Sequence, residues 1–488
     1  MKPRKRKNRR PSAAAAAADP ACWLPESLDA VLPADEHQLL AEAVLARPTK
    51  AVRLRPAAAS GGAGESLLPF ATEPVPWFPG GRFCVDTHQP GRSLAHAAGD
   101  FFVQDAGSML ALALLDPQPH EWIADACAAP GAKASAVLEV VGPGGGFLLA
   151  NEPVRGRLPA LAYNLARVGF PRWLITAADP ERLEAVWQEQ FDAVLVDAPC
   201  TGQALVGRGK QSQAAFTAAQ VAHSAARQQR ILAAAAALVQ PGGRLVYSTC
   251  TFAPEENEQV IALFLQSHEA WQVEELPGLA AWRSPLSPGG YRLYPHRDRC
   301  GGSYAIRLRR TDGPATSAAR AAPLQSASPM AAEPLSIGDA VVGQAAGGLL
   351  LRRDVRWETW PDDVVRSLGR PGERAFAEGC EIAYRPGKHW MPAHALALRR
   401  DACWQPATRW ELDTAAAQAY LQGHALPAGP ASWCVATWAN RPLGWLRGSE
   451  QRLNNGLPPA ARLAFVPEAT PAPSPPSAAR HSSAPCAS

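Results

Sequence analysis

Phe191-Asp192-Ala193-Val194-Leu195-Val196-Asp197-Ala198-Pro199-Cys200 decides how the rest of the chain reads. Its opening residues form a nearly unbroken apolar run, as expected of a strand buried on both faces, and a carboxylate, a proline and a thiol follow where the strand must end. A second run at 244–247 closes in the same way, on Ser248-Thr249-Cys250. Open α/β sheets hold their ligands at such strand ends. Cys200 and Cys250 are therefore the leading candidates for chemistry.

Working outward, short apolar runs recur from Trp122 onward, at 122–126, 147–151, 172–176, 192–197 and 244–248. Helix-like stretches at 155–167, 180–190, 217–239 and 254–267 lie between or after them, each opened or closed by Pro, Gly or Asp. This alternation predicts an α/β fold with a parallel sheet covered on both faces. Gln240-Pro241-Gly242-Gly243 predicts a helix stop just before the strand at Arg244. Residues 272–275, 291–294 and 303–309 are predicted edge strands. Upstream, 36–46 reads as helix, 51–55 as strand and 57–64 as a flexible Gly/Ala loop, together a small accessory domain. Downstream, the Ala/Ser/Pro-rich stretch 311–333 reads as a linker and 467–488 as a disordered tail. Between them, 335–466 carries many of the tryptophans in short, turn-punctuated segments, as a compact mostly-β module would. No internal repeat is visible.

A chain of 488 residues with 47% hydrophobic content can bury a large core and make two or three domains. Its ten cysteines are scattered without a Cys-x-x-Cys pair, which indicates neither a zinc site nor a disulfide framework and suits a reducing cytoplasm. No apolar run reaches membrane-spanning length, and the longest candidate, 231–239, fits a packed helix. The formal charge of +4 is uneven: Lys2, Arg4, Lys5, Arg6, Lys7, Arg9 and Arg10 supply seven positive charges, and without them the remainder carries −3. The six alanines that follow are a short, weakly apolar core for a secretory signal. The expectation is a disordered basic arm, either solubilising or attracted to phosphate backbones.

Asp125-Ala126-Cys127-Ala128-Ala129-Pro130-Gly131-Ala132-Lys133 follows the first strand and opens a helix, where small residues let backbone approach a cofactor. The second strand ends at Asn151-Glu152, whose carboxylate can accept from ribose hydroxyls. Asp179 follows the third and is placed for an adenine amino group. Three loops then converge on one nucleoside. The alternative for Glu152 and Asp179 is simple helix capping.

With these residues in hand, the chain resembles the Sun/RsmF type of S-adenosylmethionine-dependent RNA (cytosine-5)-methyltransferases. The resemblance rests on Gly99-Asp100-Phe101-Phe102-Val103-Gln104-Asp105-Ala106-Gly107-Ser108-Met109, the loop from Cys127 to Lys133, Asn151-Glu152, Asn164, Arg167 to Gly169, Asp197 to Cys200, Tyr247 to Cys250, Glu255-Glu256-Asn257-Glu258 and Pro295-His296. It implies a class I methyltransferase fold (Rossmann-like, mostly parallel sheet) with a small α+β N-terminal domain and a C-terminal mostly-β PUA-like domain. The implied division is a basic arm (1–20), an accessory RNA-binding domain (21–98), the methyltransferase domain (99–310), a linker (311–334), the PUA-like RNA-binding domain (335–466) and a tail (467–488). It also implies S-adenosyl-L-methionine as cofactor, held by Cys127, Ala128, Ala129, Pro130, Gly131, Ala132, Lys133, Glu152, Asp179 and Asp197. Cys250 is by resemblance the nucleophile that adds to carbon 6 of cytosine, and Cys200 assists removal of the carbon 5 proton and release of the enzyme. Asp197 is expected on the ring nitrogen and exocyclic amine side of the base, with Lys133 orienting it. Carbon 5 of cytosine is a poor nucleophile, which is why such an enzyme needs a thiolate. An enzyme that methylates an exocyclic amine would be expected to carry Asn/Asp-Pro-Pro-Tyr/Phe instead of Asp-Ala-Pro-Cys.

The expected partner is RNA, specifically 16S rRNA of the small ribosomal subunit, acted on by a cytoplasmic monomer. Transfer RNA is the alternative substrate, and a catalytically silent RNA-binding assembly factor is the alternative of a different class. Pro392 to Ala397 and Asn440-Arg441-Pro442-Leu443-Gly444-Trp445 match the PUA-like module. Arg441, Arg447 and Arg452, with Asn454 and Asn455, are read as RNA contacts, and Trp445 as either a stacking face or core. Three departures stand out. Ala132 replaces a glycine of the family's Pro-Gly-Gly-Lys and should fit if its φ is negative. Residues 201–210 differ from the usual Ser-Gly-x-Gly segment and its basic pair. Arg53-Leu54-Arg55 replaces an Arg-x-Asn.

Overall fold

The computed structural model describes residues 23–56, 68–85, 89–313 and, in the C-terminal part, 335–337, 340–342, 349–353, 355–361, 364, 378–401, 404, 406, 408–427, 429–430, 432–449 and 451–463. The basic arm, the 57–64 loop, nearly all of the linker and the tail lie outside these residues.

An antiparallel sheet of four strands comes first: β1 (Ala51–Leu54), β2 (Thr72–Pro74), β3 (Gly81–Cys84) and β4 (Phe101–Val103), in the order β2-β3-β1-β4. Its fourth strand lies beyond residue 98, so the Gly99–Met109 motif begins inside the accessory sheet and leaves it toward the catalytic core. The predicted helix at 36–46 runs over His37–Leu45.

The main sheet contains β5 (Trp122–Asp125), β6 (Phe147–Asn151), β7 (Trp173–Thr176), β8 (Phe191–Asp197), β9 (Val239–Thr249), β10 (Trp271–Val273), β11 (Tyr291–Leu293) and β12 (Ser303–Arg310). Its order is β10-β12-β9-β8-β5-β6-β7, with β11 paired to β12. The five strands from β9 to β7 are parallel, whereas β12 runs antiparallel to β9, and β10 and β11 antiparallel to β12. Side chains alternate faces along each strand. Ile123, Leu148, Ala150, Leu195 and Val246 enter one core with Val137 and Leu161 of the helices Ala132–Val141 and Leu158–Ala166. Ala124, Phe147, Val194 and Tyr247 enter the other with Leu183, Leu232 and Phe264 of Pro180–Trp187, Ala218–Ala236 and Glu258–Ser267. Helices on both faces explain why the strands read as continuous apolar runs. The chain passes from β5 outward to β6 and β7, then returns to β8 on the other side of β5. That reversal puts the switch point between β5 and β8, where a ligand crevice forms.

One boundary differs from the sequence expectation. The strand placed at Arg244 begins at Val239, and Gln240-Pro241-Gly242-Gly243 is a bulged insertion within it: Phe191 pairs with Val239, then Ala193 with Arg244. Gly242 supplies the left-handed backbone (φ 72°) that the bulge requires.

Among the described residues, the C-terminal part has three small sheets. β13 (Leu335–Ile337) pairs with β14 (Ala340–Val342). A four-stranded sheet contains β15 (Leu349–Arg353), β16 (Arg356–Trp360), β17 (Cys380–Tyr384) and β18 (Met391–Pro392). A five-stranded one contains β19 (Arg409–Glu411), β20 (Leu426–Pro427), β21 (Trp433–Trp438), β22 (Arg441–Gly448) and β23 (Arg452–Asn455). This part is fastened to the main sheet by reciprocal backbone hydrogen bonds between Glu378 and Ile175 of β7, each N–H donating to the other's carbonyl at 2.7 and 2.8 Å. Two of the expected RNA contacts are corrected here. Arg441 is buried and donates to Asp100 at 2.6 Å, clasping the module to the accessory sheet. Asn455 spends its amide on the Tyr420 and His424 carbonyls and accepts from the Leu457 N–H. Trp445 is core, with its indole N–H on the Ala393 carbonyl.

The Arg53-Leu54-Arg55 departure is also structural. Arg53, 2% exposed, donates to Gln104 and Ser135, both at 3.0 Å, and pairs with Glu139, joining β1 to the helix Ala132–Val141. Arg55 donates to the Val168 and Arg167 carbonyls. Breaking a buried pair by removing one partner leaves a desolvated charge, at a cost of about 3–5 kcal/mol. Arg53→Leu should therefore lower the unfolding free energy measured by chemical denaturation by an amount of that order, while Arg53→Leu combined with Glu139→Leu should recover most of the loss.

Candidate active site

Parallel pairing of β8 with β9 sets Asp197 opposite Ser248. Beyond this rung both chains run out over the crevice, and the Cys200 and Cys250 sulfurs lie 3.3 Å apart. The Cys250 backbone N–H points at the Cys200 sulfur, 3.4 Å away. Asp197 sits one step behind: Ser248 Oγ donates to its Oδ1 at 2.9 Å, and Lys133 Nζ lies 2.7 Å from its Oδ2. The four residues singled out for catalysis thus form two directly bonded pairs, Cys200 with Cys250 and Asp197 with Lys133. Both cysteines are half-buried, and Cys250 packs against an apolar wall formed by Leu28, Phe216, Phe252 and their neighbours.

The two thiols are not equivalent. The Cys200 thiol is pushed well above its usual range by its hydrogen bond to the Cys250 sulfur and by burial. It is held protonated. For Lys133, burial works to lower the ammonium, but the Asp197 charge and hydrogen bond, helped by Asp125 and Cys250, outweigh it and leave it raised. A cation is therefore fixed beside the sulfur pair.

A brace behind the cysteines was not foreseen. The buried Glu256 carboxylate accepts from the Thr201 amide (3.0 Å), the Thr201 hydroxyl (2.5 Å), the Thr251 hydroxyl (3.1 Å) and the Gln228 amide (2.8 Å). Thr201 and Thr251 each follow a cysteine, so one carboxylate ties both loops together. Asn257 adds a second tie, accepting from the Thr249 hydroxyl and donating to the Thr251 carbonyl. Gln203, fully buried, donates to the Ala215 carbonyl and accepts from the Phe252 N–H. In sequence, Glu255-Glu256-Asn257-Glu258 entered only as part of the family resemblance, with no role assigned to it. The signal lay in the hydroxyls at 201, 249 and 251, which give a buried carboxylate and amide enough partners.

The divergent loop after Cys200 is accommodated. Gly202 turns it in the left-handed region (φ 72°), and its Ala204 N–H bonds to the Cys250 carbonyl at 3.1 Å. A side chain at Gly207 would fall on the Val44 and Ala46 carbonyls, which is why the loop can lie flat on the helix His37–Leu45. Arg208 is paired with Asp105, whose carboxylate also accepts from the Gly107 and Gly301 N–H groups. Lys210 is exposed.

On the cofactor side, Gly131 caps the helix Ala132–Val141 at φ 108°, and a side chain there would press on Asn164 and Leu161 at 3.1 and 3.2 Å. Ala132 is the first helical residue and takes no left-handed backbone, so its methyl group is unstrained. Ala128 and Ala129 point into the core and Pro130 is exposed, so these residues offer the crevice backbone rather than side chains. Cys127 is half-buried, its thiol pushed up by burial and the nearby Asp125. Asn151, fully buried, donates to the Ala126 and Ala178 carbonyls and accepts from the Thr176 hydroxyl and Ala178 N–H, stitching the loops after β5, β6 and β7 into one rim. Glu152 is buried at the end of β6, accepting from the Val154 N–H (2.9 Å) and Arg157 (2.8 Å), while Arg157 also reaches the Ala129 carbonyl. Asp179 occupies the N-cap of Pro180–Trp187 but makes no side-chain capping bond and is exposed, so its carboxylate is open to a ligand. The set suits an adenosyl group: a narrow glycine turn, one buried and one open carboxylate, and three loops on a common rim.

Residues 112–309 match the model of the 16S rRNA methyltransferase RsmB/F family, and residues 407–463 that of the methyltransferase RsmF PUA domain. The chain is 30% identical over 414 residues to the ribosomal RNA small subunit methyltransferase F of Erwinia tasmaniensis, covering 80% of this chain and 84% of that relative. The Cronobacter sakazakii protein of the same name is 30% identical over 411 residues. Among solved structures, a methyltransferase homolog from Pyrococcus horikoshii is 26% identical at a TM-score of 0.50, covering 57% of this chain and 92% of that one. NSun6 from the same organism, crystallised with SFG, shares the fold at a TM-score of 0.50 and 19% identity, covering 59% of this chain and 99% of that one.

Asp125, at the end of β5, gives this site a pH signature. Burial, then the Asp197 charge, raises its carboxyl from 3.8 to about 7, against the pull of Lys133. The folded protein keeps this proton through a range in which the unfolded chain has lost it, so its contribution to stability falls as pH rises from about 4 to 7. Asp125→Asn should flatten the fall of the urea midpoint across that window and be the more stable form above pH 7. Identical slopes for both proteins would refute the assignment.

Proposed function

The chain belongs to the RsmB/F family of 16S rRNA methyltransferases, and from that premise we propose that it methylates carbon 5 of a specific cytosine in 16S rRNA through a covalent bond from Cys250 to the base. The observation that carries the reading is the pair of sulfurs 3.3 Å apart at the ends of adjacent strands, with Lys133 and Asp197 beside them.

The methyl donor of the family is S-adenosylmethionine, which when bound supplies an electrophilic methyl group on a sulfonium. In this chain the loop from Cys127 to Lys133, with Asp197, would hold its amino-acid part, Glu152 its ribose hydroxyls and Asp179 its adenine. A cytosine in a helix is stacked, so the target base must be unpaired or turned out to reach the sulfurs.

The residues then act in sequence. The Cys250 thiolate adds to carbon 6, forming a carbon–sulfur bond and moving the ring's double-bond electrons so that carbon 5 becomes nucleophilic. Lys133, held by Asp197, favours negative charge at the sulfur and on the ring as addition proceeds. Asp197 meets the ring nitrogen and exocyclic amine edge. After carbon 5 has been alkylated, the Cys200 sulfur removes its proton, the double bond re-forms and the Cys250–carbon 6 bond breaks. Cys200 begins as a thiol, so once Cys250 is bonded to the base Cys200 must give its proton to solvent; the proton it then takes from carbon 5 restores the thiol as Cys250 leaves as the thiolate. The Glu256 brace fixes both loops, so the roles do not require either sulfur to travel.

The role assignment separates in two variants. Cys250→Ala should form no covalent RNA complex and lose methylation, whereas Cys200→Ala should bind covalently and fail to release, giving a protein–RNA band that survives denaturing electrophoresis. The reverse pattern would exchange the two roles. Bisulfite mapping of 16S rRNA from cells lacking the gene should show the loss of a 5-methylcytosine. A loss in transfer RNA instead would move the substrate, and no loss in any RNA would favour a silent assembly factor.

A further inference from the structure

The tryptophan expected to meet RNA, Trp445, is buried, but the core it belongs to is ringed by three tryptophans that are only half-buried. Trp357 on β16, Trp390 just before β18 and Trp433 on β21 all pack against the same small cluster, which joins the four-stranded and five-stranded sheets. Arg385 lies over the Trp390 ring at 5.5 Å and Arg447 over the Trp433 ring at 5.6 Å. Trp357 and Trp390 meet at 6.1 Å with their planes inclined by 52°. Arg447 is exposed, and neither Arg385 nor Arg447 has a carboxylate partner among the described residues. Lys388 stands exposed at the tip of the hairpin between Arg385 and Trp390.

Scattered single tryptophans at a surface need no explanation. Three around one core, two of them covered by guanidinium groups that meet no carboxylate among the described residues, have the composition of a surface that takes flat anionic partners. A guanidinium stacked on an indole presents a planar cation on which a nucleobase can stack or a phosphate can rest. We propose that this face binds an unpaired stretch of RNA flanking the methylated site, with bases stacking at Trp390 and Trp433 and phosphates paired to Arg385, Arg447 and Lys388. Half of it, Trp357 to Trp390, lies outside the residues that match the PUA model. The inference rests on the RNA-substrate reading but does not depend on the cytosine chemistry. A protein of the ribosomal subunit is the competing occupant. It is less favoured because stacked arginine–tryptophan pairs with an adjacent lysine answer phosphate and base together.

The test uses the full-length protein and a labelled, unstructured 12-nucleotide RNA, with binding followed by fluorescence anisotropy over a range of salt. Arg385→Ala with Arg447→Ala should weaken binding about tenfold and reduce the slope of log affinity against log salt by roughly 1.4, the value for two phosphate contacts on a single strand. Trp390→Leu should remove part of the intrinsic fluorescence quenching caused by RNA. With 16S rRNA as substrate the arginine variant should raise KM and keep kcat. Unchanged affinity and slope would overturn the proposal. Retained oligonucleotide binding with weakened binding to the small subunit would overturn it in favour of a protein partner. Wild-type protein that binds the oligonucleotide but methylates nothing would overturn the cytosine reading and leave this surface standing.

Discussion

Parallel pairing of β8 with β9 is the constraint on which the site depends. The ladder that puts Asp197 opposite Ser248 fixes where two otherwise independent loops leave the sheet, and the sulfurs of Cys200 and Cys250 meet because those loops are three and two residues long at that point. A slip of one residue would turn every side chain of a strand to its other face, separating Asp197 from Lys133 and exchanging the two cores. The bulge at Gln240–Gly243 absorbs the mismatch at the start of β9, while Asp192, accepting from Gln240 and the Trp122 N–H, holds the bulge against β5. The register is therefore fixed at one end by a polar knot and at the other by the Glu256 brace.

The site is also tied outward. The Gly99–Met109 segment starts as a strand of the accessory sheet, gives Asp100 to Arg441 of the C-terminal module, Gln104 to Arg53, and Asp105 to Arg208 in the loop after Cys200. A short stretch of backbone thus contacts each of the three parts of the molecule. Buried pairs of this kind contribute little net stability against apolar replacements but allow only one arrangement of their partners. That is the property the proposed reaction needs, in which a flipped base is held over two sulfurs.

Much of this was legible in the sequence. Continuous apolar runs with intervening helices reported the doubly covered sheet, and the two cysteines reported the crevice, because each follows its strand by fixed local spacing. What was not legible depends on pairing between distant residues. Arg441 was read as an RNA contact, and Arg53 and Arg55 only as a departure from the family's Arg-x-Asn, yet each meets carbonyl or carboxylate groups from elements far away in the chain, whereas Arg447 remains exposed. Trp445 could be read as face or core from its neighbours alone, and only the packing of two sheets decides for core. Glu256 was hidden because acids at a helix start need no further reason. Its four donors come from three separate loops and helices.

The most direct test of the central claim uses 16S rRNA transcribed with 5-fluorocytidine in place of cytidine, together with S-adenosylmethionine. Fluorine at carbon 5 cannot leave as a proton does, so the release step is blocked and any adduct persists. Proteolysis and mass spectrometry should then find the RNA fragment on the peptide that contains Cys250. Attachment at Cys200, or recovery of both peptides unmodified, would contradict the account.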